Sequence, residues 1–278
     1  MLISTDEQLR NYLPNALSTV EGESSLYEKI EPYLRKAETW LTRNFLGEDF
    51  MCGMEAAPET DALRALCCHI TALDALRRAI PSLDLILTPN GFGIVSNQNI
   101  VPASADRVNR LIESLLSNRD DLASDLLLKL AVTPSWQSSV QAAYFGATLW
   151  PNLELATLAG HSADKWTHYK SLRLRAITIE QELAENFISE ELMARLRRNM
   201  LLQQVTAEER TIIDAVRQTT LEMLAGKTLD YKRMFSTVQR IRTRPTSFRS
   251  GRTAIPLCSF AVHPSRTKRI PEATGGNR

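Results

Sequence analysis

Apolar residues recur every three to four positions through most of this chain, and that spacing predicts helices. It is clear at Ile30, Leu34, Ala37 and Leu41, with Tyr27, Tyr33 and Trp40 on or near the same face. Ser24 or Ser25 is placed to begin that helix, which runs to about Asn44. Pro32 near its middle predicts a kink or a later start. A shorter helix is expected over Asp6–Tyr12: Ser4 or Thr5 caps it, acidic residues fill its first turn, and Pro14 lies just past its end. Asn44–Ala57, with Gly47 and Gly53, reads as a loop. Pro58, Glu59 and Asp61 then open a third helix over about Glu59–Ala79, stopped by Pro81.

Further on, Ser104 and Asp106 cap a helix carrying Val108, Leu111, Ile112 and Leu115. A separate helix is expected from about Asp120 to Val132, carrying Leu122, Leu126, Leu127 and Leu130. Trp136, Tyr144, Phe145, Trp150 and Pro151 crowd into Thr133–Gly160, which reads as a junction of two short helices or strands. Ser162–Glu185 and Ile188–Gln204 carry helical patterns. Thr206, Glu208 and Glu209 start a last helix that reaches Ala225 and stops at Gly226.

The helical spacing breaks at Leu83–Ser104. Leu83, Leu85 and Leu87 alternate with Asp84, Ile86 and Thr88, a period-two run. Pro89, Asn90 and Gly91 supply a tight turn, and Phe92, Ile94 and Val95 suit a return strand. The expected fold is therefore mainly α: a helical bundle with a projecting β-hairpin or extended loop at about 83–96 and an extended basic C-terminal tail. Four stretches follow: a helical domain with the hairpin (1–132), a junction (133–160), a second helical segment (161–226) and the tail (227–278). The second segment carries a hint of repetition. RNFLGEDF at 43–50 lines up with ENFISEEL at 185–192, and Tyr27–Phe50 shares 6 identities in 24 positions with the matching stretch. Duplication and convergent helical patterning both account for that number.

Composition and charge change this picture in two places. Hydrophobic residues make up 44% of the 278 and aromatics 6%, enough for a core and rich in helix-forming Leu and Ala. No apolar run reaches the roughly 18–20 residues of a membrane span, and MLISTDEQLR has neither the basic nor the apolar region of a secretory signal. Cys52, Cys67, Cys68 and Cys258 have no paired spacing, which fits free thiols in a reducing compartment. The net charge of +1 conceals a split. Lys227–Arg278 holds 12 of the 33 basic residues and 2 of the 32 acidic ones, a net +10, which leaves −9 on the rest. An acidic body with a basic tail points to a partner, either an acidic surface of a neighbouring copy or a nucleic acid. Arg240, Arg242, Arg244, Arg249 and Arg252 form the densest part of the tail, and AIPLCSFAV at 254–262 is an apolar island within it.

Candidate chemistry is sparse. Gly91 and Gly93 follow a strand, but Ser96 stands where a dinucleotide fingerprint needs its third glycine, and Pro102 follows instead of a helix. Cys67, Cys68 and His69 are consecutive, so on a helix they point about 100° apart; buried thiols are the simpler reading. His161 and His168 are too far apart to share the i, i+4 face of a metal helix. HExxH, GxSxG and P-loop patterns are missing from the sequence. The chain is read as no enzyme, with no catalytic residue, cofactor or metal.

The run LILTPNGFGIVSNQNIVPAS, flanked by helices, resembles an uncharacterised family of Bacteroides phage and prophage proteins found near virion structural genes. The order of elements over about Met1–Leu130 is also similar to that of the head–tail connector (adaptor) proteins of tailed phages. That likeness implies a virion structural protein with no catalytic residues. Such a protein forms a ring of about twelve copies that extends the DNA channel under the portal and docks the next tail or neck component. It further implies a place at the virion neck after synthesis in the host cytoplasm, without membrane contact. Pro89, Asn90, Gly91, Phe92 and Gly93 would then contact a neighbouring subunit or the portal, adding strand hydrogen bonds and one buried aromatic. The five tail arginines would meet packaged DNA or an acidic partner. The alternative function is a nucleic-acid-binding accessory protein acting through the tail.

Overall fold

A computed structural model describes residues 1–13, 25–83, 85–88, 91–94, 104–160, 162–230, 234 and 236, and of 85–88 and 91–94 the backbone. The described residues are mainly helical. Their elements are α1 (Asp6–Tyr12), α2 (Leu26–Leu41), a π-helical turn (Thr42–Leu46), α3 (Glu48–Ala56) and α4 (Ala62–Leu83). There follow strands β1 (Leu85–Thr88) and β2 (Gly91–Ile94) and helix α5 (Ala105–Ala131). Short helices α6 (Pro134–Gln137), α7 (Val140–Phe145) and α8 (Glu154–Ala159) lead to α9 (Lys165–Phe187), α10 (Glu190–Leu201) and α11 (Ala207–Leu224).

Several helices start where side chains satisfy their first free N–H groups, whereas Ser104, expected to cap α5, precedes it without a side-chain cap hydrogen bond. Thr5 Oγ1 accepts from Gln8 N at 3.2 Å and Ser25 Oγ from Glu28 N at 3.2 Å. Thr206 and Glu209 close a reciprocal capping box on α11. Helix α4 packs against α2 on one side and α5 on the other; α9 packs against α8, α10 and α11; α5 meets α9 and joins the halves. Where they join, Trp40, Phe45, Phe145, Trp166 and Tyr169 form one aromatic cluster, with ring centroids 4.9 Å apart for Phe45 and Trp166.

Four expectations are corrected. The stretch read as a loop at Asn44–Ala57 is a π-turn and a helix. Glu48 and Asp49 favour the amino end of α3, and Met51 faces the core while Gly53 meets nothing and is tolerated. Pro81 does not stop α4. It lies in the last turn, so the helix forgoes one N–H near its end and continues to Leu83. Pro32 sits inside α2 on its exposed face, and the helix begins at Leu26, so the later start is ruled out. The two helices expected over 104–132 are one, because buried Arg119 and Asp120 carry the chain through the polar stretch in its middle.

The π-turn has a specific support. Its widened ring, closed by Gly47 N on Thr42 O at 2.8 Å, leaves carbonyls to be satisfied from elsewhere. Trp136 Nε1 donates to Phe45 O at 2.7 Å and Gln141 Nε2 donates to Arg43 O at 3.2 Å. Gly47, at φ 83°, ends the turn; a Cβ there would lie 3.1 Å from Gln141 Oε1.

Candidate functional site

The site is assembled from the linked ends of α4 and α5, and it begins with a buried anchor. Asp74 on α4 and Arg119 and Asp120 on α5 are 1%, 3% and 0% exposed. Arg119 Nη1 donates to Asp74 Oδ1 at 2.8 Å, and its Nε and Nη2 donate to Asp120 Oδ1 at 2.8 and 2.6 Å. Arg77 and Arg78 complete Asp74 from the same helix. Asp120 Oδ2 accepts the backbone N–H of Trp166 at 2.9 Å, and the Arg119 guanidinium lies 4.4 Å from the Trp40 ring centre. One arginine thus ties α2, α4, α5 and the start of α9 together.

Burial alone would raise the Asp74 pKa, but Arg119, Arg77 and Arg78 outweigh it and hold the carboxyl below its ordinary value. Burial dominates at Asp120 and raises it in spite of Arg119. The Arg119 guanidinium stays protonated, because the two aspartates offset its own burial. Every buried charge in the anchor has an opposite partner inside it, so the cluster is suited to holding helices in register.

From this anchor outward, cover is lost. With Arg119 on Asp74, an antiparallel run puts Leu83, nine residues on, level with Leu111, eight residues back, each about 12–14 Å from the anchor at 1.5 Å per residue. Leu83 is 37% exposed and Leu111 49%. The first buried residue of α5 is Leu115, and eight of the ten residues before it are exposed. Val108 and Ile112 are half-buried there. Beyond lie β1 and β2, antiparallel, with Leu85 opposite Ile94, Ile86 opposite Gly93, Leu87 opposite Phe92 and Thr88 opposite Gly91. Among the described residues the sheet has these two strands, so each keeps one unpaired edge.

Of the hairpin residues singled out in sequence, Gly91, Phe92 and Gly93 lie in β2 and pair with β1, whereas Pro89 and Asn90 lie outside the described residues. Arg240, Arg242, Arg244, Arg249 and Arg252 also lie outside them. Sequence reasoning missed Asp74, Arg119 and Asp120. Their signal was present: a charge in the apolar run ITALDAL, and an Arg–Asp pair in the middle of an amphipathic helix. Cys67 and Cys68 are buried in α4, and burial raises both thiols. Beside Cys68 a recess of about 100 Å³ is lined by Leu2, Gln8, Tyr12, Glu59 and Arg64. Burial pushes Tyr12 up to about 12 there, so neither phenol nor thiol offers an anion at neutral pH. Among the described residues no cluster of His, Cys, Asp and Glu could hold a metal ion, and no helix is long and apolar enough to cross a membrane.

Fold and site together define a mainly helical protein in which the linked end of one buried-charge-anchored helix pair exposes apolar side chains among the described residues. Residues 13–146, just under half of the chain, match a family of unknown function, DUF6712. That match spans α2 to α7 and so contains the anchor, the hairpin and all of α5. No curated protein and no solved structure matches the chain.

Proposed function

We propose that this chain is a structural subunit of a tailed-phage virion, a head–tail connector or neck component that assembles as a ring under the portal. In this reading it extends the DNA channel and joins head to tail. The observation that supports it most is the linked end of α4 and α5. Leu83 and Leu111 are exposed, eight of the first ten residues of α5 are exposed, and among the described residues the two-stranded sheet keeps both edges open. A lone hairpin is marginally stable in water, and its open edges and apolar neighbours suit burial against another chain. In a closed ring each subunit uses different surfaces on its two sides, and this end is one of them. The match to DUF6712 covers α2–α7, which include this end, and names no function.

The test is microscopy and native mass of the purified chain, alone and with a portal protein. A ring of about twelve copies is expected in the assembled state. A stable monomer under both conditions overturns the reading.

The charge split favours a second reading, a nucleic-acid-binding accessory protein that works through its tail of net +10. It requires binding to DNA that weakens steeply with salt and disappears with the tail.

A further inference from the structure

The two halves of the chain share more than helical spacing. Helices α1, α2 with its π-turn, α3 and α4 run short, long, short, long, and so do α8, α9, α10 and α11. The link before the last helix is 57–61 in one half and 202–206 in the other, five residues each.

Residues correspond across an offset of 142 (169 less 27), and three of the six identical pairs, at Glu38, Leu41 and Asn44, are used alike, whereas half-buried Tyr27 and Phe187 are matched by fully buried Tyr169 and Phe45. Glu38 on α2 accepts the backbone N–H of Leu2 at 2.5 Å; Glu180 on α9 accepts that of Leu149 at 2.9 Å. Leu2 and Leu149 both belong to the buried stretch that leads into the short first helix, α1 or α8. Asn44 Nδ2 donates to Trp40 O at 2.7 Å, and Asn186 Nδ2 donates to Glu182 O at 2.7 Å. Leu41 and Leu183 are both 0% exposed, and Met51 and Met193 are both buried. Periodicity accounts for a leucine on an apolar face. It does not account for a glutamate that reaches, in each half, back to the backbone ahead of the first helix.

The last helices correspond when their caps, Asp61 and Thr206, are matched. All five buried residues of α11 between Ile212 and Thr220 then fall on buried residues of α4, with Thr219 on Asp74. There the halves diverge. Asp74 is covered by Arg119 of α5, whereas Thr219 Oγ1 donates to Sδ of Met234, 3.2 Å away and 2% exposed.

We infer that the chain contains two copies of one four-helix unit, which differ in what closes the last helix. The first unit is closed by α5, reached through the hairpin; the second is closed by the start of the basic tail, with Met234 where Arg119 stands. Both segments with the character of partner contacts, hairpin and tail, therefore leave equivalent positions of the two copies. This goes beyond the ring reading and holds whether or not a ring forms.

The test uses the full-length chain. Amide exchange at Leu2 and at Leu149 should be slow, and Glu38→Leu and Glu180→Leu should each speed exchange at their own amide by about tenfold or more while sparing the other. Replacing 169–193 by the sequence of 27–51 should give a chain that unfolds cooperatively with unchanged helical signal. Replacing it by the equally long helical sequence 105–129 should not. Free exchange of Leu149 in the unaltered chain, or a 27–51 transplant that unfolds like the 105–129 control, overturns the inference.

Discussion

Arg119 meets Asp74 at 2.8 Å across the α4–α5 pair, and with both residues buried this contact pins the register of the two helices. The exposed end of the pair, where Leu83 and Leu111 lie level, depends on that pin. Removing the Asp74 charge leaves buried Arg119 with Asp120 as its remaining buried partner and takes the partner from Arg77 and Arg78. Asp74→Asn should therefore lower stability by about 3–5 kcal/mol, read from urea unfolding. A loss below about 1 kcal/mol would mean that Asp120 alone satisfies Arg119.

The same anchor gives stability a shaped dependence on pH. Asp74 has its folded pKa below the unfolded one, so its contribution is complete above the ordinary carboxylate range and is lost as pH falls through the folded value. Asp120, Glu180 and Glu38 are raised, chiefly by burial, so the folded state holds extra protons just above that range and gains stability as pH falls into it. Stability should rise from neutral to mildly acidic pH and then fall. Urea midpoints against pH check this, and Asp74→Asn should flatten the acid limb.

Leu111→Asp changes an exposed site and should leave thermal unfolding of the single chain within about 0.5 kcal/mol of the original. It should nevertheless impair assembly, measured as particle mass. Phe92→Ala is expected to behave alike. If either variant lowers the stability of the single chain instead, that residue belongs to its own core and not to a contact.

Trp136→Phe keeps the ring and removes the N–H that serves Phe45 O in the π-turn. The buried carbonyl then lacks a donor, at a cost of about 1–3 kcal/mol. Hydrogen exchange of Gly47, whose N–H closes the turn, should rise more than that of α9 amides.

Truncation after Ser236 retains Met234, and with it the closure of α11, while removing the densest arginines. The shortened chain should fold unchanged. If the tail binds nucleic acid, DNA affinity should drop and its salt dependence flatten with it. Equal DNA binding by both forms would exclude that role for the tail.

Local signals in the sequence carried well where a structure is decided within a few residues. The span Asp6–Tyr12 and the start of α11 at Thr206 stand as read, and of the paired candidates Ser4 or Thr5 and Ser24 or Ser25 the caps are Thr5 and Ser25, because a cap answers to N–H groups two or three residues away. Reading failed where a residue's ordinary meaning was overruled. Gly53 and Pro81 are helix-breaking by habit, yet one sits where a Cβ would meet nothing and the other where a single lost N–H is cheap.

Sequence by itself determined that this protein is mainly helical, where most helices begin, and that its one period-two run interrupts them. Those follow from spacing and side-chain chemistry along a short stretch of chain. Tertiary structure alone decided that Asp74, Arg119 and Asp120 lie buried together, that Trp136 supports a turn 91 residues away, and that α5 is one unbroken helix with a mostly exposed start. Each of these rests on partners far apart in sequence, and a charge in an apolar run looks alike whether it will meet water or an arginine. The energetic difference between those two fates appears only when the helices pack.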